Sequence, residues 1–145
     1  EWGHIDMEGA LWTIPAEQMK ARRDHIVPLS TQALKILEAQ KEETGHINSP
    51  YVFPSQVRPR KPMSDGTVNR ALQRLGYGGE IVAHGVRALA RTTIREKLGY
   101  DAEVIEKQLA HKTKNPLGEA YDRTQFLDER KNMMQDWADY LEKAR

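Results

Sequence analysis

The hydrophobic period of the chain changes at Ser30, and that change limits the folds open to it. Ahead of Ser30, residues 10–14 (Ala-Leu-Trp-Thr-Ile) and 25–29 (His-Ile-Val-Pro-Leu) are short β-branched or aromatic runs of strand length. The polar stretch 17–24 between them reads as the long tip of a hairpin, and Ile5 and Met7 extend the pattern to a third strand. From Ser30 onward the apolar residues recur at helical spacing. The expected fold class is therefore α+β and mostly helical, with a small N-terminal antiparallel hairpin or three-stranded sheet packed on a helical body.

Ser30 is a suitable N-cap, Ala33, Leu34, Ile36 and Leu37 offer an apolar face, and Gly45 follows a Lys/Glu-rich end, so a helix of three or four turns is predicted. Pro50, Pro54, Pro59 and Pro62 make residues 46–63 a loop, with one short strand expected at 51–53. Ser64 opens a second predicted helix with Val68, Leu72 and Leu75 on one side and Gly76 as its stop. A third is expected over 83–98 before Gly99, and a fourth begins at Asp101 as cap and carries Val104, Ile105, Gln108 and Leu109. After the break at 115–118, a last helix starts at Thr124 with a stripe of Leu127, Met134, Trp137 and Leu141. Its stripe must be buried, either on its own domain or on a neighbouring protomer. The 145 residues are read as one domain: a hairpin region 1–29, a helical core 30–123 and a C-terminal helix 124–145.

No apolar run is long enough for a membrane span or a signal-peptide core. Zero cysteines exclude disulfides, cysteine nucleophiles, iron–sulfur clusters and thiolate zinc sites, and fit a reducing cytoplasm. The chain opens on Glu1 rather than methionine, so a piece of a longer polypeptide is expected. Net charge is only +1, but it is unevenly spread: residues 1–19 hold four acids and no Lys or Arg, while 20–100 hold fourteen bases and seven acids. Arg58, Arg60, Lys61, Arg70, Arg74, Arg87, Arg91, Arg95 and Lys97 form a basic stretch. Such a stretch either faces a polyanion or is a set of solvated helix faces.

Phosphate loops, dinucleotide fingerprints, His-Glu-x-x-His, calcium loops and Gly-x-Ser-x-Gly elbows are absent from the sequence, which removes most ATPases, dehydrogenases, zinc proteases and serine hydrolases. What remains is His84-Gly-Val-Arg87 at the start of the third helix. Three residues apart on a helix, an imidazole and a guanidinium share a face and can converge on one anionic group. By itself the pair is equally a helix-start histidine beside a surface arginine. Leu109-Ala-His111 and, ten residues on, Tyr121 add an imidazole and a phenol, the latter equally at home as a partly buried aromatic. Lys20 stands at the predicted hairpin tip, where a solvated turn lysine is the plain alternative.

In this order and spacing, from Trp2–Asp6 through Lys20, His84-x-x-Arg87, Leu109-x-His111 and Tyr121 to the Met133-Met134…Trp137…Tyr140-Leu141 helix, the chain resembles the tyrosine recombinases, and most closely the phage and genomic-island integrases of bacteria. The resemblance implies strand cleavage and rejoining without metal, ATP or other cofactor. Tyr121 would attack the scissile phosphate to give a 3′-phosphotyrosyl bond and a free 5′-hydroxyl. A phenol of ordinary pKa is a weak nucleophile at neutral pH and needs a proton acceptor and a cationic pocket. The resemblance casts Arg87 as donor to the non-bridging oxygens, His84 as proton-transfer or phosphate-holding group, His111 as a phosphate hydrogen-bond partner and Lys20 as acid for the leaving 5′-oxygen. Arg22, Arg23, Arg58, Arg60, Lys61, Arg70 and Arg74 would contact backbone phosphates, which position a duplex without reading it. The implied partners are double-stranded attachment-site DNA and further protomers in a synaptic complex, with no membrane, and the implied location is the bacterial cytoplasm, at the nucleoid when DNA is bound.

One departure stands out. Family members carry another active-site arginine, with an acidic neighbour, in a helix just before the point where this chain starts, and residues 1–19 hold no arginine. Loss of one such donor costs about 3 to 4 kcal/mol of transition-state stabilisation, so the isolated chain is expected to be nearly inactive and to bind DNA weakly. Two other readings stay open: a non-catalytic DNA-binding or assembly module, and an enzyme like the type IB topoisomerases.

Overall fold

In the computed structural model, which describes residues 1–111 and 126–144, the change of period at Ser30 is the boundary between sheet and helices. Strands β1 (Ile5–Asp6), β2 (Leu11–Ile14) and β3 (His25–Pro28) form one antiparallel sheet in the order β1-β2-β3. Trp12 stands opposite Ile5 on one side and Val27 on the other, and Ile14 opposite His25. The Asp6 carboxylate accepts the Gly9 amide (2.8 Å) and closes the first turn. Across the longer β2–β3 connection the Asp24 carboxylate accepts the Ala16 amide (2.8 Å), so the loop carrying Lys20 is pinned at its base.

Helix α1 spans Thr31–Thr44, and Ser30 caps it as expected, its Oγ accepting the Ala33 amide (3.2 Å). Of its predicted apolar face Leu37 is buried, whereas Ile36 points to solvent. Residues 51–53 do not form the expected strand. The prolines leave too few amides for a ladder, and the segment closes through one bridge between Pro54 and Pro62 and the Ser55–Lys61 and Met63–Phe53 backbone bonds. Helix α2 is short, Thr67–Leu72, and continues into a π-turn, Gln73–Tyr77, in which Gly76 has a φ of 92°. That left-handed angle suits glycine. Ser64 does not cap it in the expected way: the hydroxyl binds Thr67 Oγ1 (2.9 Å) and Arg70 Nη2 (2.6 Å) instead. Val68 and Leu75, expected inward, are 42% and 71% exposed.

Helix α3 (Ala83–Glu96) has its first amide taken by Asn69 Oδ1 of α2 at 2.9 Å, a cap supplied from another helix. Asp101 occupies the N-cap position of α4 (Ala102–Gln108), but its carboxylate faces Arg95 (3.5 Å) rather than the helix amides. Helix α5 runs Leu127–Lys143, and the expected start at Thr124 lies outside the described residues. Ile94 of α3, Val104 and Ile105 of α4 and Met133 of α5 form the buried core, with Ala90, Leu98, Tyr100, Leu109, Phe126, Met134 and Trp137 around them.

In the single chain, α5 packs on α1, α3, α4 and β3. Gln32 Nε2 donates to Asp139 (2.7 Å) and Glu142 (3.0 Å), and Gln135 donates to Gln32 Oε1 (2.9 Å). Tyr100 donates its hydroxyl to Asp136 (2.6 Å), and burial together with that carboxylate pushes the phenol up to about 12. Leu141, part of the predicted stripe, is 47% exposed beyond the end of the packed face. Among the described residues, no helix is long and apolar enough to cross a membrane.

Candidate active site

Four residues of α3, His84, Arg87, Arg91 and Arg95, recur at three- and four-residue spacing and so line one face. The arginines meet α4 in order along its length. Arg95 donates to the Tyr100 carbonyl (2.7 Å) just before α4, Arg91 Nε to Glu106 Oε1 (2.6 Å), and Arg87 Nη2 to the Leu109 carbonyl at its end. Part of the basic stretch read from the sequence therefore holds two helices together. A guanidinium carries five N–H donors, so a bond to one carbonyl does not exhaust it.

The end of α4 delivers His111. The Ala110 amide bonds the Lys107 carbonyl (3.1 Å) and the His111 amide bonds the Glu106 carbonyl (3.0 Å), with Ala110 left-handed at φ of 52°. This is a Schellman termination with alanine where glycine is usual. It reverses the chain over the last turn and sets His111 Nδ1 2.5 Å from Glu106 Oε2. Glu106 thus joins Arg91 and His111, one through each oxygen. Burial acts to raise its carboxyl, but the bonds from His111 and Arg91 outweigh it and hold the group below the ordinary carboxylate value.

The hairpin supplies the opposite wall. A cavity of about 390 Å³ lies between sheet and helices, lined by Met19 and His25 from the sheet side and by Arg87, Arg91, Gln108 and Met134 from the helices. Lys20 follows Met19 directly and is exposed in the loop, as is His84 in the first turn of α3. Among the described residues, neither is hydrogen-bonded or ion-paired to the cluster at the end of α4. The structure thus ties Arg87 to the end of α4 that delivers His111, and leaves Lys20 and His84 exposed. Tyr121 lies outside the described residues.

Among the residues assigned to DNA contact, Arg22, Arg23, Arg58, Arg60, Lys61, Arg70 and Arg74 are all exposed. Arg58, Arg60 and Lys61 sit on the turn closed by the Lys61–Arg58 backbone bond (2.8 Å). Arg70 and Arg74 of α2 and the π-turn line a second cavity of about 740 Å³ with Ser55 and Pro59 of that loop.

A family model described as "Phage integrase family" matches residues 1–127. The chain belongs to the phage integrase family. It is 46% identical over 143 residues to the prophage integrase IntA of Escherichia coli (strain K12), a match covering 99% of this chain and 34% of that protein. It is 38% identical over 159 residues to the integrase of Enterobacteria phage P4, covering 99% and 36%, and 34% identical over 142 residues to that of Shigella phage Sf6, covering 98% and 36%. The chain spans about a third of the length of the curated relatives it matches. No solved structure matches it.

Within this integrase chain, Glu106, His25 and Arg130 hold positions that the motifs do not single out. His25 Nε2 donates to the Gln108 carbonyl (3.1 Å). Burial lowers its pKa, that bond opposes the change, and the charges of Arg130, Lys107 and Arg87 lower it further. Arg130 is 0% exposed and donates to Gln108 Oε1 (2.8 Å) and to the Ile26 carbonyl (2.5 Å), tying α5 to α4 and β3; burial brings its pKa down to about 10. The sequence does carry one sign of it. Arg130 falls three, four and seven residues before Met133, Met134 and Trp137, on the apolar stripe itself.

Proposed function

We propose that this chain is the catalytic part of a tyrosine-type site-specific DNA recombinase that cuts and rejoins DNA through a 3′-phosphotyrosyl intermediate. The observation that carries the reading is Arg87 lining the cavity walled by the hairpin that bears Lys20 and bonding the Leu109 carbonyl, two residues before His111, which the turn at the end of α4 sets against Glu106. A guanidinium on a concave wall, with an imidazole held two residues beyond the carbonyl it binds, suits a tetrahedral phosphate whose non-bridging oxygens gain charge in the transition state.

In this reading Arg87 binds two phosphate oxygens. His111 hydrogen-bonds one of them, and His84 takes or holds the proton released by the attacking phenol. Tyr121 forms the bond to phosphorus as the 5′-oxygen departs, and Lys20 supplies that oxygen's proton. The phosphodiester energy is kept in the tyrosyl ester, so the 5′-hydroxyl of a partner strand reverses the step. Its substrate is double-stranded attachment-site DNA, and the exposed bases from Arg22 to Arg74 hold the backbone. Further protomers complete the synapse.

The test is trapping on a nicked suicide substrate with the chain joined to the upstream family segment. Covalent protein–DNA product that disappears on Tyr121→Phe is the expected result. Tight DNA binding without any covalent product favours the DNA-binding module, a reading to which the use of Arg87, Arg91 and Arg95 as interhelical ties lends support. Relaxation of supercoiled plasmid without a paired recognition site favours the topoisomerase-like enzyme.

A further inference from the structure

Glu106 has no part in the residue roles above, yet it is the group through which α3 and α4 share the candidate site. Its two oxygens are each spoken for: Oε1 accepts from Arg91 Nε at 2.6 Å and Oε2 lies 2.5 Å from His111 Nδ1. An ionised carboxylate only accepts hydrogen bonds. His111 therefore carries a proton on Nδ1, and its Nε2 is the ring atom turned to outside partners. The ring is 42% exposed and, among the described residues, nothing hydrogen-bonds Nε2.

We infer that Glu106 is a positioning residue, a carboxylate anchored by Arg91 that fixes the tautomer and orientation of His111 so that Nε2 meets the scissile phosphate. The inference rests on the recombinase reading for what Nε2 meets, but the holding of His111 by Glu106 stands on its own geometry. Three features converge on it. The Schellman turn with its left-handed Ala110 folds His111 back over the carboxylate that it follows by five residues. Arg91 stands one turn beyond Arg87 on α3, so the anchor of the carboxylate and the donor for the phosphate move as one rigid helix face. The hydrogen bonds from both partners keep Glu106 ionised well into the acid range. Paired in this way, a histidine loses the freedom to rotate about its ring axis or exchange tautomers, which is the ordinary use of a carboxylate behind a working imidazole.

Replacement by glutamine is not conservative here. One amide oxygen must serve two donors, and the amide nitrogen, a donor itself, faces either His111 or Arg91.

Two readouts test the inference. Long-range ¹H–¹⁵N spectra of the 145-residue chain at alkaline pH report the protonated ring nitrogen of His111 directly. Nδ1–H is expected in the native chain, and a shift to the common Nε2–H form is expected in Glu106→Ala, with Glu106→Gln shifting in the same direction while keeping the side-chain volume should the alanine variant fold poorly. In the full-length recombinase, Glu106→Gln is expected to slow formation of the covalent intermediate by about ten- to a hundredfold while DNA affinity stays within about twofold, a rate-against-binding split that general unfolding does not give. A tautomer identical in native and variant chains overturns the inference, and so does an altered tautomer with an unchanged cleavage rate. Failure of the recombinase reading shows separately, as absence of Tyr121-dependent adduct with Glu106 intact, and the ring spectra then still decide whether Glu106 holds His111.

Discussion

Arg130 is a cation placed where water does not reach, and its surroundings show why that is tolerated. Removing a charge from water costs several kcal/mol unless good hydrogen bonds replace the hydration shell. Arg130 donates to the Gln108 side chain and the Ile26 carbonyl, which take the place of part of its hydration shell. Arg130→Ala is expected to lower unfolding free energy by about 3 to 5 kcal/mol, and Arg130→Lys to recover less than half, because a single ammonium does not reproduce the planar fork. Urea unfolding of the three proteins measures both. A second residue-scale consequence follows from His25. Its folded-state pKa lies below the ordinary histidine value, so folding favours the neutral ring. The stability gained is present above about pH 6.5 and is lost as pH falls through the folded-state value. Thermal melts between about pH 7.5 and pH 5 should show this loss in the native chain and a flatter profile in His25→Gln, which retains a donor for the Gln108 carbonyl.

Helix α5 is the element on which sequence pattern alone was undecided. In the single chain it is buried against α1, α3, α4 and β3, with Met133 fully enclosed and a Gln32–Gln135–Asp139 hydrogen-bond cluster at its far end, and we propose that it packs the same way in solution. A helix borrowed from a neighbour would make the melting temperature rise with protein concentration. The expected result is a melting temperature independent of concentration over a wide range of dilution, and a loss of about 2 to 5 kcal/mol for Met133→Ala. Elements set by neighbouring residues were legible from sequence: the strands before Ser30, the Ser30 cap and the existence of each helix. What was not legible depends on distant partners. Arg130 and Ile26 are separated by 104 positions, so no local pattern links them. Val68 and Leu75 follow helical spacing and are nonetheless exposed, because periodicity reports a face without saying whether anything covers it. In the site, His84-x-x-Arg87 and His111 could be found by spacing, whereas Glu106 emerges only when α4 is folded against α3.

For the whole molecule, charge is divided between side chains tied into the fold and exposed ones that the proposed function assigns to the DNA backbone. Arg91 and Arg95 are drawn into α4, while Arg58, Arg60 and Lys61 stand exposed on the loop turn. Duplex affinity is therefore expected to fall linearly in log–log form with salt. Combined replacement of Arg58, Arg60 and Lys61 by alanine should reduce the slope by about 0.9 for each phosphate that those side chains neutralise in the native complex. Replacement of Arg95 should leave that slope unchanged and lower stability instead. Filter binding over a range of salt concentrations separates the two sets.

The central proposal, that Tyr121 attacks a phosphate held by Arg87 and His111, meets its most direct trial in the chemistry of the trapped product. Full-length recombinase bearing this chain would be captured on nicked attachment-site DNA, digested with nuclease and protease, and sequenced by mass spectrometry for the peptide that retains a nucleotide. A 3′-phosphoryl nucleotide on Tyr121, absent when Arg87 is replaced by alanine, is the expected result. A nucleotide on another residue, or an adduct formed equally well without Arg87, would contradict it.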